Sequence, residues 1–153
     1  MQTPQLLLEI QNRDRIISQA FLLDGKAWKE IKEEGVWRKW NGEKTTWENF
    51  LAQAGESLWS VDRRISCYEY FIETMKLSFD DIYQGKAVSS RNLIAIRGAN
   101  FDKEKTTELL GVAREVPAAV KDRIRDFNGR PPEECTHEKK ETRCAECKRK
   151  IVV

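Results

Sequence analysis

Three of the four cysteines and the only histidine fall within thirteen positions, Cys135, His137, Cys144 and Cys147. The pattern is Cys-x-His, six residues, then Cys-x-x-Cys. Zn²⁺ prefers a tetrahedral shell of thiolate sulfur and imidazole nitrogen, and a Cys₃His set closes that shell. The spacing predicts a tight Cys-x-x-Cys knuckle facing Cys135 and His137 across a short hairpin. A disulfide framework would leave one of the three thiols odd. A redox Cys-x-x-Cys would sit between a strand and a helix, and the short segment after Cys147 is not expected to hold one. A closed shell leaves no position for water, so the expected zinc is structural and not catalytic. It would stand in for a core, because residues 135–153 carry few apolar side chains beyond Ala145, Ile151, Val152 and Val153. Metal binding supplies on the order of 10 kcal/mol to such small modules.

Charge suggests what that lobe meets. Residues 135–153 hold six Lys/Arg against three acids, a net of +3; the whole chain is +2, so residues 1–134 carry −1. Positive charge gathered at Arg143, Lys148, Arg149 and Lys150 suits a phosphate backbone. A solvated basic tail or a protein-docking surface is the plainer alternative.

At 153 residues the chain is long enough to bury roughly two thirds of its unfolded surface. Its charged fraction of 34% fits a helix-rich globular protein. No apolar run approaches the ~20 residues of a membrane span, and Met1-Gln2-Thr3-Pro4 lacks the pattern of a signal peptide. Thiolates arranged for metal imply a reducing compartment, so a cytoplasmic location is expected.

Helical periodicity dominates residues 1–127. Thr3 and Pro4 suit a helix start, and Leu6, Ile10, Ile17 and Phe21 recur at helical spacing, with Ile16, Ala20 and Leu23 beside them. Asp24-Gly25 predicts a break, after which Ala27, Trp28 and Ile31 mark a second helix ending near Gly35. Trp37 and Trp40 fall on a short element closed by Asn41-Gly42. Thr45-Thr46-Trp47-Glu48 reads as a capping box, opening a helix with Trp47, Phe50, Leu51 and Ala54 on one face and Gly55 at its end. Ser57 offers the next N-cap, and a helix from about Leu58 to Lys76 would turn Val61, Ile65, Tyr68, Phe71, Ile72 and Met75 inward. Shorter helices follow from Ser78, over Val88–Ile96, from Asp102 to Arg114, and from Pro117 to Phe127. Asn128-Gly129-Arg130-Pro131-Pro132 is the clearest linker. The expected organisation is a helical body over 1–127, a linker over 128–134 and a zinc lobe over 135–153.

The stretch from about 46 to 76 is a helix-turn-helix candidate: a short helix, a Gly turn and a Ser-capped second helix. The second helix would present Ser57, Trp59, Ser60, Arg63 and Arg64 near its N-terminus, where a recognition helix meets base edges. Arg38, Lys39, Lys44, Thr45 and Thr46, at and before the first helix, would face phosphates. An αα-hairpin in an ordinary bundle is the competing reading. Trp28, Trp37, Trp40 and Trp47 are expected in the core; Trp59, beside the arginines, is the exception. Cys67, mid-helix, is expected as a buried filler.

Three stretches, Gly25-Lys26-Ala27-Trp28-Lys29-Glu30-Ile31, Thr46-Trp47-Glu48-Asn49-Phe50 and Ser60-Val61-Asp62-Arg63, lie in a region, residues 21–115, that resembles a loose group of small phage, plasmid and archaeal helix-turn-helix DNA-binding proteins with a C-terminal zinc-ribbon-like or zinc-knuckle lobe. Glu56 stands where that pattern usually has an apolar residue, and Arg64 where it usually has a buried one. The resemblance implies a mainly α fold, double-stranded DNA as partner and a role in transcription regulation.

Enzyme chemistry has little to stand on. The single histidine is expected on the metal, which removes the usual general base, and no phosphate-binding Gly loop or Gly-x-Ser-x-Gly elbow occurs. Asp80-Asp81 and Asp102 read as helix N-terminal charges. A non-enzymatic DNA-binding protein, a regulator or accessory factor of a phage or mobile element, is therefore the leading expectation. A zinc-stabilised protein-interaction module, for example a viral factor on a host complex, and RNA binding through the zinc lobe remain alternatives.

Overall fold

The computed structural model describes residues 3–129, which form a mainly α body. Cys135, His137, Cys144 and Cys147, the basic residues Arg143, Lys148, Arg149 and Lys150, and positions 130–134 of the expected linker lie outside the described residues. The described chain runs through helices α1 (Thr3–Glu34), α2 (Trp47–Gln53), α3 (Leu58–Tyr68), α4 (Phe79–Tyr83), α5 (Ser90–Ala99), α6 (Lys103–Glu115) and α7 (Val120–Phe127). A 3-10 turn, Val36–Gly42, joins α1 to α2, and a π turn, Glu69–Thr74, continues α3. No strand occurs among the described residues, and no helix there is long and apolar enough to cross a membrane.

The expected break at Asp24-Gly25 is corrected: α1 is one helix of 32 residues. Gly25 serves contact, not a turn. A Cβ there would stand 2.2 Å from the Arg64 carbonyl oxygen and 3.1 Å from Tyr68 Cβ, so only glycine lets α1 lie this close to α3. Phe21 meets Arg64, Gly25 meets Arg64 and Tyr68, and Lys29 Nζ meets the Glu73 carboxylate at 2.5 Å. The two helices therefore run in the same direction, side by side.

Caps fix most of the boundaries. Ser57, Ser78, Ser89 and Asp102 each accept a hydrogen bond from the backbone N–H three residues on, satisfying donors the helix start leaves free. Ser78 and Asp81 form a reciprocal capping box, and the Ser78 N–H holds the Asp81 carboxyl below its ordinary pKa. The box expected at Thr45–Glu48 is corrected by one residue. Thr46 caps α2 by accepting from the Asn49 N–H, and asparagine at that place closes no box.

Two clusters of buried side chains hold the body. The larger draws Leu22 from α1, Cys67, Tyr70 and Phe71 from α3 and its π turn, Ile82 and Tyr83 from α4, and Leu93, Ile96, Leu109, Leu110, Ala113 and Val120 from α5 to α7. Its polar groups are satisfied. Tyr83 donates to the Ser18 carbonyl at 2.9 Å, the Val88 N–H donates to Ser18 Oγ at 2.8 Å, and the Tyr70 hydroxyl lies 2.8 Å from Thr106 Oγ1. Burial pushes the Cys67 thiol up to about 11, so this cysteine is an inert filler. The smaller cluster is Phe50, Leu51, Val61 and Ile65, flanked by Trp28, Trp37, Trp47 and Leu58. Trp37 and Trp47 meet edge to face at 5.1 Å, and Trp47 stacks on Phe50 at 5.7 Å. Trp40 reaches Phe50 only from the rim and stays exposed, so the expectation of a core place for it is corrected. Ala54 is exposed as well, because α2 ends before it.

One stripe is uncovered. Leu6, Ile10 and Ile17, which share a helical spacing with Phe21, are 45%, 51% and 70% exposed. Periodicity correctly marks an apolar face on α1, but the body begins to cover the helix only near Ser18 and Leu22.

Candidate nucleic-acid interface

Helices α2 and α3 are joined by Ala54-Gly55-Glu56-Ser57, with Gly55 at φ 80° making the reversal. The Glu56 N–H closes the turn on the Leu51 carbonyl at 2.9 Å, leaving its own side chain in solvent, which a polar residue accepts. From this turn α3 is buried on two opposite sides. Val61 and Ile65 enter the aromatic cluster, while Cys67, Tyr70 and Phe71 enter the larger core. Counting back from Cys67 at helical spacing gives Arg63, Arg64 and Ser60. The side of α3 that forms core at one end therefore turns polar at the other.

That polar end opens into a groove of about 390 Å³. Trp59, Ser60, Arg63 and Arg64 of α3 form one wall, and Ser90 and Arg91 at the start of α5 form another; Phe21 and Ile94, both packed on the larger core, are the apolar floor. Three guanidinium groups line it and no carboxylate does. Trp59 is 64% exposed, with the Arg63 guanidinium 5.1 Å over its ring. Arg64 is held more firmly: it lies 5.6 Å over the Phe21 ring and donates to the Ser60 carbonyl at 3.3 Å and to Ser60 Oγ. Arg63 is thus held by one ring contact and Arg64 by a ring and two hydrogen bonds. A half-buried arginine beside Phe21 explains how this position tolerates a charge: the stem packs and the head stays wet.

The structure divides the other expected contact residues. Ser57 is used as the α3 cap and does not line the groove. Arg38, Lys39, Lys44, Thr45 and Thr46 lie on the segment between α1 and α2 instead, and none lines the groove. Arg38 stacks on Trp37 at 5.3 Å, the Thr45 N–H is tied to the Arg38 carbonyl at 3.0 Å, and Thr46 is the α2 cap. Of the groove's three arginines, Arg91 is the one that sequence reasoning did not find. Its only signal was a basic residue at the second position of a Ser-capped helix, and nothing in the sequence ties that helix to α3.

Among the described residues no group of three His, Cys, Asp or Glu is placed to hold a metal ion. No protein-family model matches the chain, and neither the curated proteins nor the solved structures contain a match.

Proposed function

We propose that the chain is a non-enzymatic DNA-binding protein, a regulator or accessory factor of a phage or mobile element, in which α2 and α3 act as a helix-turn-helix. The observation that carries this reading is the groove at the N-terminal half of α3. There Arg63, Arg64 and Arg91 converge with no acid among them, beside an exposed Trp59. Arginine heads on a rigid helix can pair bidentately with a guanine edge or a phosphate. Arg63, exposed and resting only on the Trp59 ring, suits the base edge; Arg64 and Arg91 suit the backbone.

The test is affinity for a selected duplex and a random duplex across salt concentrations. Arg63→Ala is expected to weaken the selected site by roughly 1–3 kcal/mol and random duplex little. Arg91→Ala is expected to weaken both alike and flatten the salt slope. If Arg63→Ala binds both duplexes as the parent does, α3 is a structural helix and the protein-partner reading replaces this one. The −1 charge of residues 1–134 is the observation on that side.

The second part of the proposal is the zinc lobe. Cys135, His137, Cys144 and Cys147 supply a complete tetrahedral donor set with no place for water, so Zn²⁺ there would order the lobe. Lys148 and Arg149 would then add sequence-independent phosphate contact. Elemental analysis of the purified chain is expected to find about one zinc per molecule, and Cys144→Ser to lose it. Metal-free protein with an unchanged tail would refute the lobe.

A further inference from the structure

Seven exposed large apolar side chains lie on the first two thirds of α1: Leu6, Leu7, Leu8, Ile10, Ile16, Ile17 and Leu23. Leu6, Ile10, Ile17 and Phe21 share one face, and between Ile10 and Ile17 that face is interrupted by Arg13 and Asp14. Beside it runs a second groove, of about 630 Å³, between Asp14, Ile17 and Phe21 of α1 and Ala87, Ala113 and Pro117 of the body. This groove adjoins the arginine groove, sharing Phe21, Arg64 and Ser90 with it, but carboxylates of Asp14 and Asp24 also line it.

We propose that this face binds a second copy of the chain, with the two α1 helices antiparallel and each lying along the other's groove. The argument is self-complementarity. Setting Arg13 against Asp14 of the second copy places Ile10 against Ile17 and Leu6 against Phe21, and the two-fold axis repeats each contact in reverse, as an isologous interface requires. Every large apolar residue of the stripe then meets an apolar one, and the two charges that interrupt it neutralise each other twice. Within one chain these charges are poorly used. Arg13 has only an exposed contact with Glu9 at 3.6 Å, and Asp14 has no ion pair among the described residues. A parallel pairing would set Arg13 on Arg13 and Asp14 on Asp14. A lipid surface would leave both charges unpaired in the middle of the apolar face. A second copy in the antiparallel register satisfies the stripe and its charges together. The surplus of exposed apolar side chains on one helix is itself the mark of an unfilled interface.

The experiment is light scattering coupled to size exclusion on the full chain at several micromolar concentrations. The expected mass is twice 17.9 kDa. Ile17→Asp, at a 70% exposed position, is expected to give a monomer with unchanged helical circular dichroism. Arg13→Asp and Asp14→Arg are each expected to weaken the dimer at least tenfold. Combining both changes in one chain restores it, and an equimolar mixture of the two single variants forms the heterodimer. A monomer at every concentration, or a dimer indifferent to Ile17→Asp, overturns the proposal. Failure of the double exchange to restore association overturns the antiparallel register. The proposal does not rest on nucleic-acid binding: a monomer that binds duplex refutes it alone, and a dimer that ignores duplex refutes only the arginine groove.

Discussion

Gly25→Ala is expected to destabilise the body by about 2 kcal/mol, although alanine is the better helix former by about 1 kcal/mol. Residue 25 lies inside a continuous helix, so propensity alone predicts a gain. Contact predicts the opposite. The new methyl would sit 2.2 Å from the Arg64 carbonyl oxygen and 2.7 Å from its carbon, both backbone atoms that no rotamer change can move. The helices must separate, and the separation loosens the packing of Phe21, Leu22 and Trp28 on either side. Differential scanning calorimetry is expected to show a fall in the unfolding midpoint on the order of 4–8 °C. A rise would mean that α1 and α3 do not approach as described.

Phe71→Ala is expected to have the largest effect of any single truncation in the larger core, about 3–5 kcal/mol. Phe71 is fully buried, packs edge to face on Tyr70 at 5.0 Å, and stands in the π turn where α3 meets the rest of that core. Removing the ring leaves a cavity enclosed by several helices, which cannot collapse without moving them all. Total stabilities of domains are about 5–15 kcal/mol, so the variant stands near the edge of folding. Urea unfolding followed by circular dichroism is expected to show a lower midpoint with an unchanged slope. A shift smaller than about 1 kcal/mol would place Phe71 outside the core.

The helices were legible because their signals are local. Ser57, Ser78 and Asp102 announce their caps within four residues, and the apolar spacing of α3 and α6 survives in the folded body. Three features were not legible, each for a physical reason. Glycine serves both for turns and for close approach, and at Gly25 only the neighbouring backbone decides between them. Helical periodicity on α1 marks a face without saying what covers it, and Leu6, Ile10 and Ile17 on that face are exposed. Arg91 joins the groove through the packing of α5 beside α3, a long-range relation that spacing along the chain cannot carry. Within the groove, Trp59, Ser60, Arg63 and Arg64 lie together because less than two turns of one helix separate them; the set from Arg38 to Thr46, expected to face phosphates, was not brought to the same place.

The face of α3 that carries Cys67, Tyr70 and Phe71 into the core also carries Ser60, Arg63 and Arg64 into the groove. Stability and the proposed DNA binding therefore place opposite demands on the same strip of surface. A leucine at position 63, resting near Ile94 and Phe21, would extend the core by a layer and remove a charge from the groove. Such a change is the kind that thermostability screens favour, and an assay of folding alone would score it as a gain. If α3 binds DNA as proposed, arginine at 63 forgoes that gain in stability, and an apolar residue at 63 or 64 would exchange the groove's charge for it.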